Sequence, residues 1–191
     1  NYKWTSADIL DDGGYSIQTT KGGTWLADLD YIIDIRHFGA NCDLINSDSV
    51  FIEKCQNYIF INRPLINISA GNEKGGGVIY FPKSLLITQT IVLKKGVSLQ
   101  GNSKIGTNIH CYEQMIGITN FDGYDENGVI KTTNNFSLKD FVISQGSILI
   151  SATYNCLFEN LRVMNIVGRD AFIFDGLFVD CKIKNVHIIS C

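Results

Sequence analysis

The feature that most constrains this chain is a repeat between Phe136 and Cys191. Three six-residue segments begin at Leu138, Phe158 and Ile183 and align without gaps, with starts 20 and then 25 residues apart. Each has the order apolar, charged, Asp or Asn, apolar, variable, apolar. Self-similarity at such a period is typical of a solenoid, in which each repeat packs on the next.

The apolar residues of each repeat have the spacing of β-strands, because alternate residues of a strand share one face. The third position holds Asp140, Asn160 or Asn185, residue types that tolerate the left-handed backbone of a tight corner. A strand, a bend at Asp or Asn, a second strand and a turn together make one rung of a right-handed parallel β-helix. We therefore predict an all-β solenoid of this type.

The composition agrees with stacked strands and narrows the classes of partner. Of the 191 residues, 45% are hydrophobic and only 18% are charged, as sheets with polar turns require. The net charge of −3 provides no basic field, so no nucleic acid partner is expected. No stretch of about 18 apolar residues occurs, so no membrane insertion is expected either.

The six cysteines form no C-x-x-C pair and have no metal-ligand spacing with the three histidines, so we expect no metal and no cofactor. Cys156 and Cys181 each precede a repeat by two residues, as Phe136 does. We interpret them as an inward, apolar column of reduced thiols, because parallel Cβ directions on neighbouring rungs disfavour a disulfide. Folding in a reducing cytosol fits this interpretation.

The region before the repeats divides into two parts. Residues 1–33 are predicted to form a β-rich lead-in or connecting segment, since Asp-Asp-Gly-Gly at 11–14 is a hairpin signal. Trp4 and Trp25 either pack together there or contact another subunit or a preceding domain. Residues 34–74 are predicted to contain a strand at 33–40, a helix and a loop.

The helix is predicted to begin after the potential N-caps at 46–48 and to continue to about Phe60, with apolar residues at helical spacing. We expect it to cap the solenoid, because the first rung otherwise exposes apolar core and an unpaired edge. Residues 75–191 are then the rungs of the β-helix. Strands are predicted at 78–81, 85–93, 97–100, 108–111, 115–120 and 129–132, with a solvated acidic loop at 122–128.

Several of these segments resemble one family. Residues 38–43, with 46–49 and Ile52, resemble the opening "FGA-x-x-D-(x)-DDT-x-x-I" of the pectate-lyase-like superfamily of β-helix proteins. Residues 75–82, Gly-Gly-Gly-Val-Ile-Tyr-Phe-Pro, are similar to its "GGG-x-V-x-F-P" first strand. Residues 87–101 are similar to the continuation "Y-x-I-x-x-x-I-x-L-x-S-G-V-x-L-x-G".

The chain departs from this pattern where Gly is usual, at Cys42, Leu44 and Ser84, which affects the detail of turns. Residues 2–4, 11–14, Ile17 and 22–26 resemble the "Y-x-W…DDGG-x-x-I…G-x-W" stretch that precedes the β-helix in bacteriophage tailspikes and capsule depolymerases.

This second resemblance implies a trimeric virion appendage that binds, and often cleaves, a host capsule or O-antigen polysaccharide. Such a protein is folded in the host cytoplasm and acts outside the bacterial cell. Its other implied partners are a preceding virion-attachment domain or further tail proteins. A trimer is also expected because three parallel helices bury the flat apolar faces that one solenoid exposes.

Cleavage of a glycosidic bond by hydrolysis needs two carboxyl groups, whereas a lyase needs a base and a cation beside a uronate. The densest group of such residues in the repeat gives three catalytic candidates, Glu159, Asp170 and Asp175. Arg169 and Tyr154 are the candidates for substrate binding. In the alternative interpretation, residues 168–170 and 175–176 are ordinary solvated turns and Tyr154 packs over a corner.

Two outward columns are also predicted. Lys139, Glu159 and Lys184 alternate in sign and form a charge ladder across rungs. Val142, Arg162 and His187 form the second column, in which His187 is either a general base or simply an exposed rung residue.

Cys191 ends the sequence inside a predicted strand, so we expect a longer protein with its main glycan site in later rungs. Three functions stay open: a tailspike depolymerase, a non-catalytic receptor-binding or structural tail protein, and a secreted bacterial polysaccharide lyase or hydrolase. The lead-in with its tryptophans favours the phage proteins.

Overall fold

The computed structural model of the protein describes residues 2–6, 16–27, 29–63, 66–69, 72–74, 76–168 and 170–189. The hairpin predicted at residues 11–14 lies outside these ranges, as do Arg169 and Cys191.

The first strands form a three-stranded antiparallel sheet with the order β1-β3-β2. Its strands are β1 (Tyr2–Thr5), β2 (Ser16–Gln18) and β3 (Thr24–Ala27).

Most of the remaining strands belong to one 11-stranded sheet, in which the paired neighbours are parallel. It comprises β4 (Ile32–Asp34), β7 (Gly77–Phe81), β8 (Leu85–Ile87), β9 (Ile91–Val92), β10 (Val97–Gly101), β11 (Asn108–Thr119), β14 (Ser137–Tyr154), β15 (Leu157–Met164), β16 (Phe172–Val179), β17 (Lys182–Lys184) and β18 (His187–Ile189). Two small antiparallel hairpins complete the strands, β5 (Ile66–Ser69) with β6 (Asn72–Lys74) and β12 (Phe121–Tyr124) with β13 (Ile130–Thr132).

The large sheet curls because strand β14 bends at Asp140 and Gln145 and pairs with different neighbours along its length. Residues 137–139 of β14 pair with β10 and β15, and we call this the first side. Residues 141–144, between β11 and β15, form the second side, and residues 146–154, between β11 and β16, form the third side. Parallel strands that turn through three sides and return one layer higher have the arrangement of a parallel β-helix.

The bends between sides are residues with positive φ. Asp140, Asn160 and Asn185 have φ of 60°, 53° and 53°, so the predicted corner residues adopt the left-handed conformation in all three repeats. Two further columns share this conformation and were not predicted: Asn135, Asn155 and Asp180, and Gln145 with Asn165. Asn and Asp adopt this region at lower cost than other non-glycine residues, since their short polar side chains bond locally.

The core is built from inward columns that continue from strand to strand. On the first side, Ile33, Ile79, Leu99, Leu138 and Phe158 pair in register and each is fully buried. The predicted inward column of Phe136, Cys156 and Cys181 is confirmed for the first two, with exposures of 3% and 2%, whereas Cys181 is only partly buried. Cys156 is a free thiol, and burial raises its pKa to about 11.

The predicted helix is α1 (Ser49–Asn62), and Ile52, Cys55 and Ile59 on one face are buried in the core. Asp48 occupies the N-cap position, but its side chain makes no capping hydrogen bond to the helix. Instead its buried carboxylate accepts from the backbone N–H of Asn41 at 3.2 Å and of Cys42 at 3.4 Å. Burial raises the pKa of Asp48.

The strand predicted at 33–40 is wrong over most of its length. Strand β4 ends at Asp34, and a 3-10 helix follows at Ile35–Phe38. The Asp34 carboxylate accepts from the Arg36 backbone N–H at 2.9 Å, which bends the chain into the helix. Gly39, with φ of 98°, then ends the helix.

The acidic segment predicted as a loop is the antiparallel hairpin of β12 and β13. Its tip is closed by Asp125, whose Oδ1 accepts from the backbone N–H groups of Asn127 and Val129, both at 2.8 Å. Its base is fixed by Asn120, whose Nδ2 donates to the carbonyls of Thr133 and Ser151 at 3.0 Å. The hairpin therefore leaves the third side from a buried, hydrogen-bonded base.

Removal of a core side chain tests the stack. Phe158 is fully buried and its ring lies 5.7–5.9 Å from those of Phe136, Phe172 and Phe174. Phe158→Ala is expected to lower the free energy of unfolding by about 3–5 kcal/mol, measured by urea denaturation with circular dichroism. The control Ile105→Ala, at a side chain that is 79% exposed, should change it by less than about 0.5 kcal/mol. Equal effects of the two changes would contradict the assigned core.

The corner conformation can be tested separately at Asn160. Both Asn160→Gly and Asn160→Ala remove the same side-chain hydrogen bonds, but only alanine strains the left-handed backbone, by about 1–2 kcal/mol. Part of that strain is offset by the greater freedom of glycine in the unfolded chain. Urea denaturation should therefore show the alanine variant to be less stable than the glycine variant. The opposite order would contradict a positive φ at this corner.

Candidate functional site

One outward column of polar side chains runs along the first side. Backbone pairing places its members on six successive strands: Asp34, Tyr80, Gln100, Lys139, Glu159 and Lys184. Adjacent strands lie about 4.8 Å apart, so the column presents one polar group at each such step. An extended polymer can follow a row of this kind along the stack.

Glu159 occupies the middle of a charge ladder, as the sequence predicts. One carboxylate oxygen lies 3.6 Å from Lys139 Nζ and the other lies 3.7 Å from Lys184 Nζ. Its nearest neighbours in the column are therefore cations. Hydrolysis by a carboxyl pair would need a second carboxyl within about 5–9.5 Å, and this column does not place one beside Glu159.

At the start of the column, Asp34 forms an ion pair with Arg36, with 2.6 Å between Oδ2 and the guanidinium Nη2. Partial burial acts to raise the pKa of Asp34, but hydrogen bonds from Arg36 outweigh it and the pKa is lowered. The charge of Asp34 is thus balanced by Arg36, whereas the other end of the column has two ammonium groups, of Lys139 and Lys184, for the one carboxylate of Glu159.

A hydrogen-bonded ladder of corner residues borders this column. Asn160 Nδ2 donates to Asp140 Oδ1 at 2.8 Å, and Asn185 Nδ2 donates to Asn160 Oδ1 at 2.7 Å. Lys104, from the turn after β10, reaches across the rungs and donates to Asn185 Oδ1 at 2.9 Å. Because the amide groups of the ladder bond to one another, few of their N–H donors remain for a ligand.

The second side carries the predicted outward column of Val142, Arg162 and His187, whose pairing is confirmed. Val142 is buried beneath the other two, and His187 is exposed. Arg162 Nε is buried without a hydrogen-bond partner among the described residues. This column combines a cation with an imidazole, the two groups that β-elimination beside a uronate requires.

Asp175 lies on the third side, within strand β16, where it pairs with Ser151 of the strand below. Phe172 and Phe174 point toward the ring of Phe158, so strand alternation directs Asp175 outward, where it is exposed. The interpretation of 175–176 as an ordinary turn is wrong. Gly176 instead has φ of 101° inside the strand, at a bulge opposite Ala152.

The other predicted site residues do not all lie near Asp175. Asp170 is exposed and precedes β16. Tyr154 ends β14, is 43% exposed, and pairs with Val179 of β16. Arg169 lies outside the described residues, and Glu159 lies on a different side of the solenoid from Asp175.

A cleft that the sequence did not predict lies where α1, the turn after β9 and the β12–β13 hairpin meet. It has a volume of about 390 Å³. Its lining residues are Phe60, Leu93, Lys94, Lys95, Asp122, Lys131, Thr132 and Thr133. We call it the lysine cleft. The only local signal for it was the adjacent pair Lys94-Lys95, because its other residues come from distant segments.

Within the part of the chain that the structure describes, no group of three or more His, Cys, Asp or Glu side chains is placed to hold a metal ion. None of the helices in these ranges has the length and apolar character needed to cross a membrane.

Comparison with known proteins agrees with this architecture. The model of the family described as rhamnogalacturonase A/epimerase, pectate lyase-like, matches residues 32–187. The chain therefore belongs to this pectate-lyase-like family, whose fold is that of polysaccharide-acting proteins. A search of curated proteins finds no match.

Solved structures share the fold at low sequence identity. The A-module of the mannuronan C-5 epimerase AlgE6 from Azotobacter vinelandii superposes with a TM-score of 0.57 and 16% identity, covering 81% of this chain and 44% of the epimerase module. ORF18 of Geobacillus virus E2 gives 0.51 and 15%, covering 79% and 31%. Tailspike protein 2 of the Escherichia coli O157:H7 bacteriophage CAB120 gives 0.50 and 13%, covering 94% and 31%. The chain thus spans less than half the length of each of these proteins.

The charge ladder of the first side can be tested by removing its central carboxylate. Glu159→Gln leaves Lys139 and Lys184 without their shared counter-charge, so the free energy of unfolding should fall by up to about 1 kcal/mol at low salt. The loss should shrink at high salt, where screening is strong. Urea denaturation at two ionic strengths measures the loss of stability and its dependence on salt. Glu126→Gln, on the exposed hairpin, is the matched control. A loss that does not depend on salt would contradict the ladder.

Proposed function

We propose that this chain is part of a bacteriophage tailspike that recognises and depolymerises a host surface polysaccharide, either capsule or O-antigen. The observation that carries the proposal is the match of the pectate-lyase-like family across residues 32–187. A fold that presents outward columns of polar side chains along parallel strands suits an extended glycan. The similarity to phage tail proteins and the "Y-x-W…DDGG" lead-in support the virion assignment.

In this proposal the chain keeps the three parts expected from its sequence. Residues 1–33 connect to a preceding virion-attachment domain or to other tail proteins. In residues 34–74, α1 caps the first rung of a right-handed β-helix, in keeping with the burial of Ile52, Cys55 and Ile59. Residues 75–191 form the rungs that bind the glycan, and three chains assemble in parallel. The protein folds in the host cytoplasm and acts on the outside of the bacterial cell.

The catalytic step is assigned to the third side. Asp175 faces outward on β16, and Asp170 precedes the same strand, so the two carboxyl groups act as a general acid and a general base. Arg169 and Tyr154 hold the neighbouring sugar units. Glu159, held by two lysines, binds and orients the chain on the first side but takes no proton.

Cleavage by β-elimination is the alternative chemistry, and the second side carries it. His187 would take the proton beside a uronate carboxylate, while Arg162 neutralises that carboxylate. His187 is exposed and pairs with Arg162 of the neighbouring strand, which supports this assignment.

A non-catalytic tail protein is the second candidate function. The polar column of the first side supports it, since that column offers binding groups on six strands without a close carboxyl pair. A secreted bacterial lyase or hydrolase would share the fold and differ in its lead-in.

Release of oligosaccharides from a panel of capsular and O-antigen polysaccharides tests the proposal. Asp175→Asn should reduce release at least about 100-fold, because general acid-base groups contribute about 10²–10⁴-fold. Asp30→Asn, at an exposed carboxylate outside the rungs, is the control and should leave release unchanged. If the product is unsaturated, and its release is lost in His187→Ala but kept in Asp175→Asn, the cleavage is an elimination and not a hydrolysis. If a polysaccharide is bound but no oligosaccharide is released, the protein is a binding protein and not an enzyme.

A further inference from the structure

The tip of the β12–β13 hairpin is closed by four hydrogen bonds centred on Asp125, which we call the tip latch. The Asp125 carboxylate accepts from the backbone N–H groups of Asn127 and Val129, both at 2.8 Å. Its backbone carbonyl accepts from the N–H of Gly128 at 3.0 Å, and its own N–H donates to the Val129 carbonyl at 2.8 Å. Residues 126–129 of this turn are exposed, so the latch can open locally while the solenoid stays folded.

The latched turn contains Asn127-Gly128, the one Asn-Gly pair of the sequence. The Asn127 side chain is exposed, and its amide makes no hydrogen bond to any part of the chain that the structure describes. Gly128 has φ of 75°, and no atom beyond its chain neighbours lies within 4 Å of the position that a Cβ would take. Because glycine has no side chain, the Asn127 side chain can approach the Gly128 nitrogen closely.

Other asparagines of the described ranges are less suited to attack by the following residue. Asn102 is exposed as well, but it is followed by Ser103, and its Oδ1 accepts from the Tyr80 hydroxyl at 3.2 Å. The amide of Asn160 is held between Asp140 and Asn185 in the corner ladder. Asn127 therefore combines exposure, an unbonded amide and a glycine neighbour.

We infer that Asn127 is a site of spontaneous deamidation, which converts the latched tip into an open tip with an additional carboxylate. The Gly128 backbone nitrogen loses its proton to hydroxide and attacks Cγ of Asn127. An N–Cγ bond forms, the Cγ–Nδ2 bond breaks, and ammonia leaves, so that a succinimide ring remains. Water then opens the ring at one of its two carbonyl carbons and gives aspartate or isoaspartate. The reaction needs no oxidant and no ligand, so it does not depend on the proposed function.

The tip latch controls the rate of this reaction. In the closed turn the Gly128 N–H is bonded to the Asp125 carbonyl, so the nitrogen keeps its proton and cannot attack. Deamidation therefore proceeds from the open tip, and its rate follows the fraction of molecules in which the tip is open. Isoaspartate lengthens the main chain by one methylene group, and the new carboxylate lies beside Asp125 and Glu126. Both changes oppose closure of the latch, so the opening becomes permanent.

Peptide mapping by mass spectrometry, during incubation of the intact protein in a warm, mildly alkaline buffer, tests the inference. The peptide that contains Asn127 should gain the mass of an amide-to-acid conversion before the peptide that contains Asn102. Incubation in urea should accelerate the conversion at Asn127 at least about fivefold, because unfolding removes the latch. In the folded protein, Asp125→Ala should also accelerate it at least about fivefold, since two of the latch bonds are lost.

Matched variants separate the latch from a general effect of charge. Glu126→Ala removes an exposed carboxylate of the same tip without removing a latch bond, so it should leave the rate unchanged. Asn127→Gln keeps an amide but cannot form the five-membered ring readily, so its peptide should gain no mass. Thermal unfolding followed by circular dichroism verifies that each variant is folded.

The effect on the hairpin is measured by hydrogen exchange. Residues 121–132 should exchange faster in the aged protein than in the fresh protein, whereas the aged Asn127→Gln variant should exchange like the fresh one. Conversion at Asn127 that is no earlier than at Asn102 would overturn the inference. Equal rates in Asp125→Ala and Glu126→Ala, or hairpin exchange that does not change after conversion, would also overturn it.

Discussion

The structure depends on corners at which the backbone takes a positive φ. In the repeats these corners fall five residues apart, at Asn135, Asp140 and Gln145 in one rung and at Asn155, Asn160 and Asn165 in the next. Each corner lets a short strand end and the next begin at an angle, so that the sheet curls into three sides. Asn and Asp adopt this conformation at a lower free-energy cost than other non-glycine residues. These residue types therefore favour the corners even before the core packs.

Once the corners are fixed, parallel stacking determines both faces of every strand. Inward residues form apolar columns such as Leu138 on Phe158, and outward residues form polar columns such as Lys139 on Glu159. Neighbouring rungs lie only about 4.8 Å apart, so like charges in one column repel and alternating signs attract. The same stacking that stabilises the solenoid therefore also presents long polar rows to solvent, which is the geometry an extended glycan needs.

The features that can carry chemistry lie where the stacking of the rungs is irregular. The β12–β13 hairpin, the turn bearing Lys104 and the bulge at Gly176 are all places where one rung is longer than its neighbours. Extra residues cannot join the ladder, so they project from it and form walls beside the flat sides. The lysine cleft owes its concave shape to one such projection, the β12–β13 hairpin.

The sequence by itself determined the solenoid, the Asp140, Asn160 and Asn185 corners, the charge ladder and the helix, because each of these is written in local spacing that repeats. It did not determine the 3-10 helix after Asp34, in which a side-chain bond to Arg36 overrides an alternating strand pattern. It also did not reveal the lysine cleft or the separation of Glu159 from Asp175. Those depend on which distant residues the strand register places on the same side. Because the rungs differ in length, that register cannot be read from the sequence before the strand pairs are known.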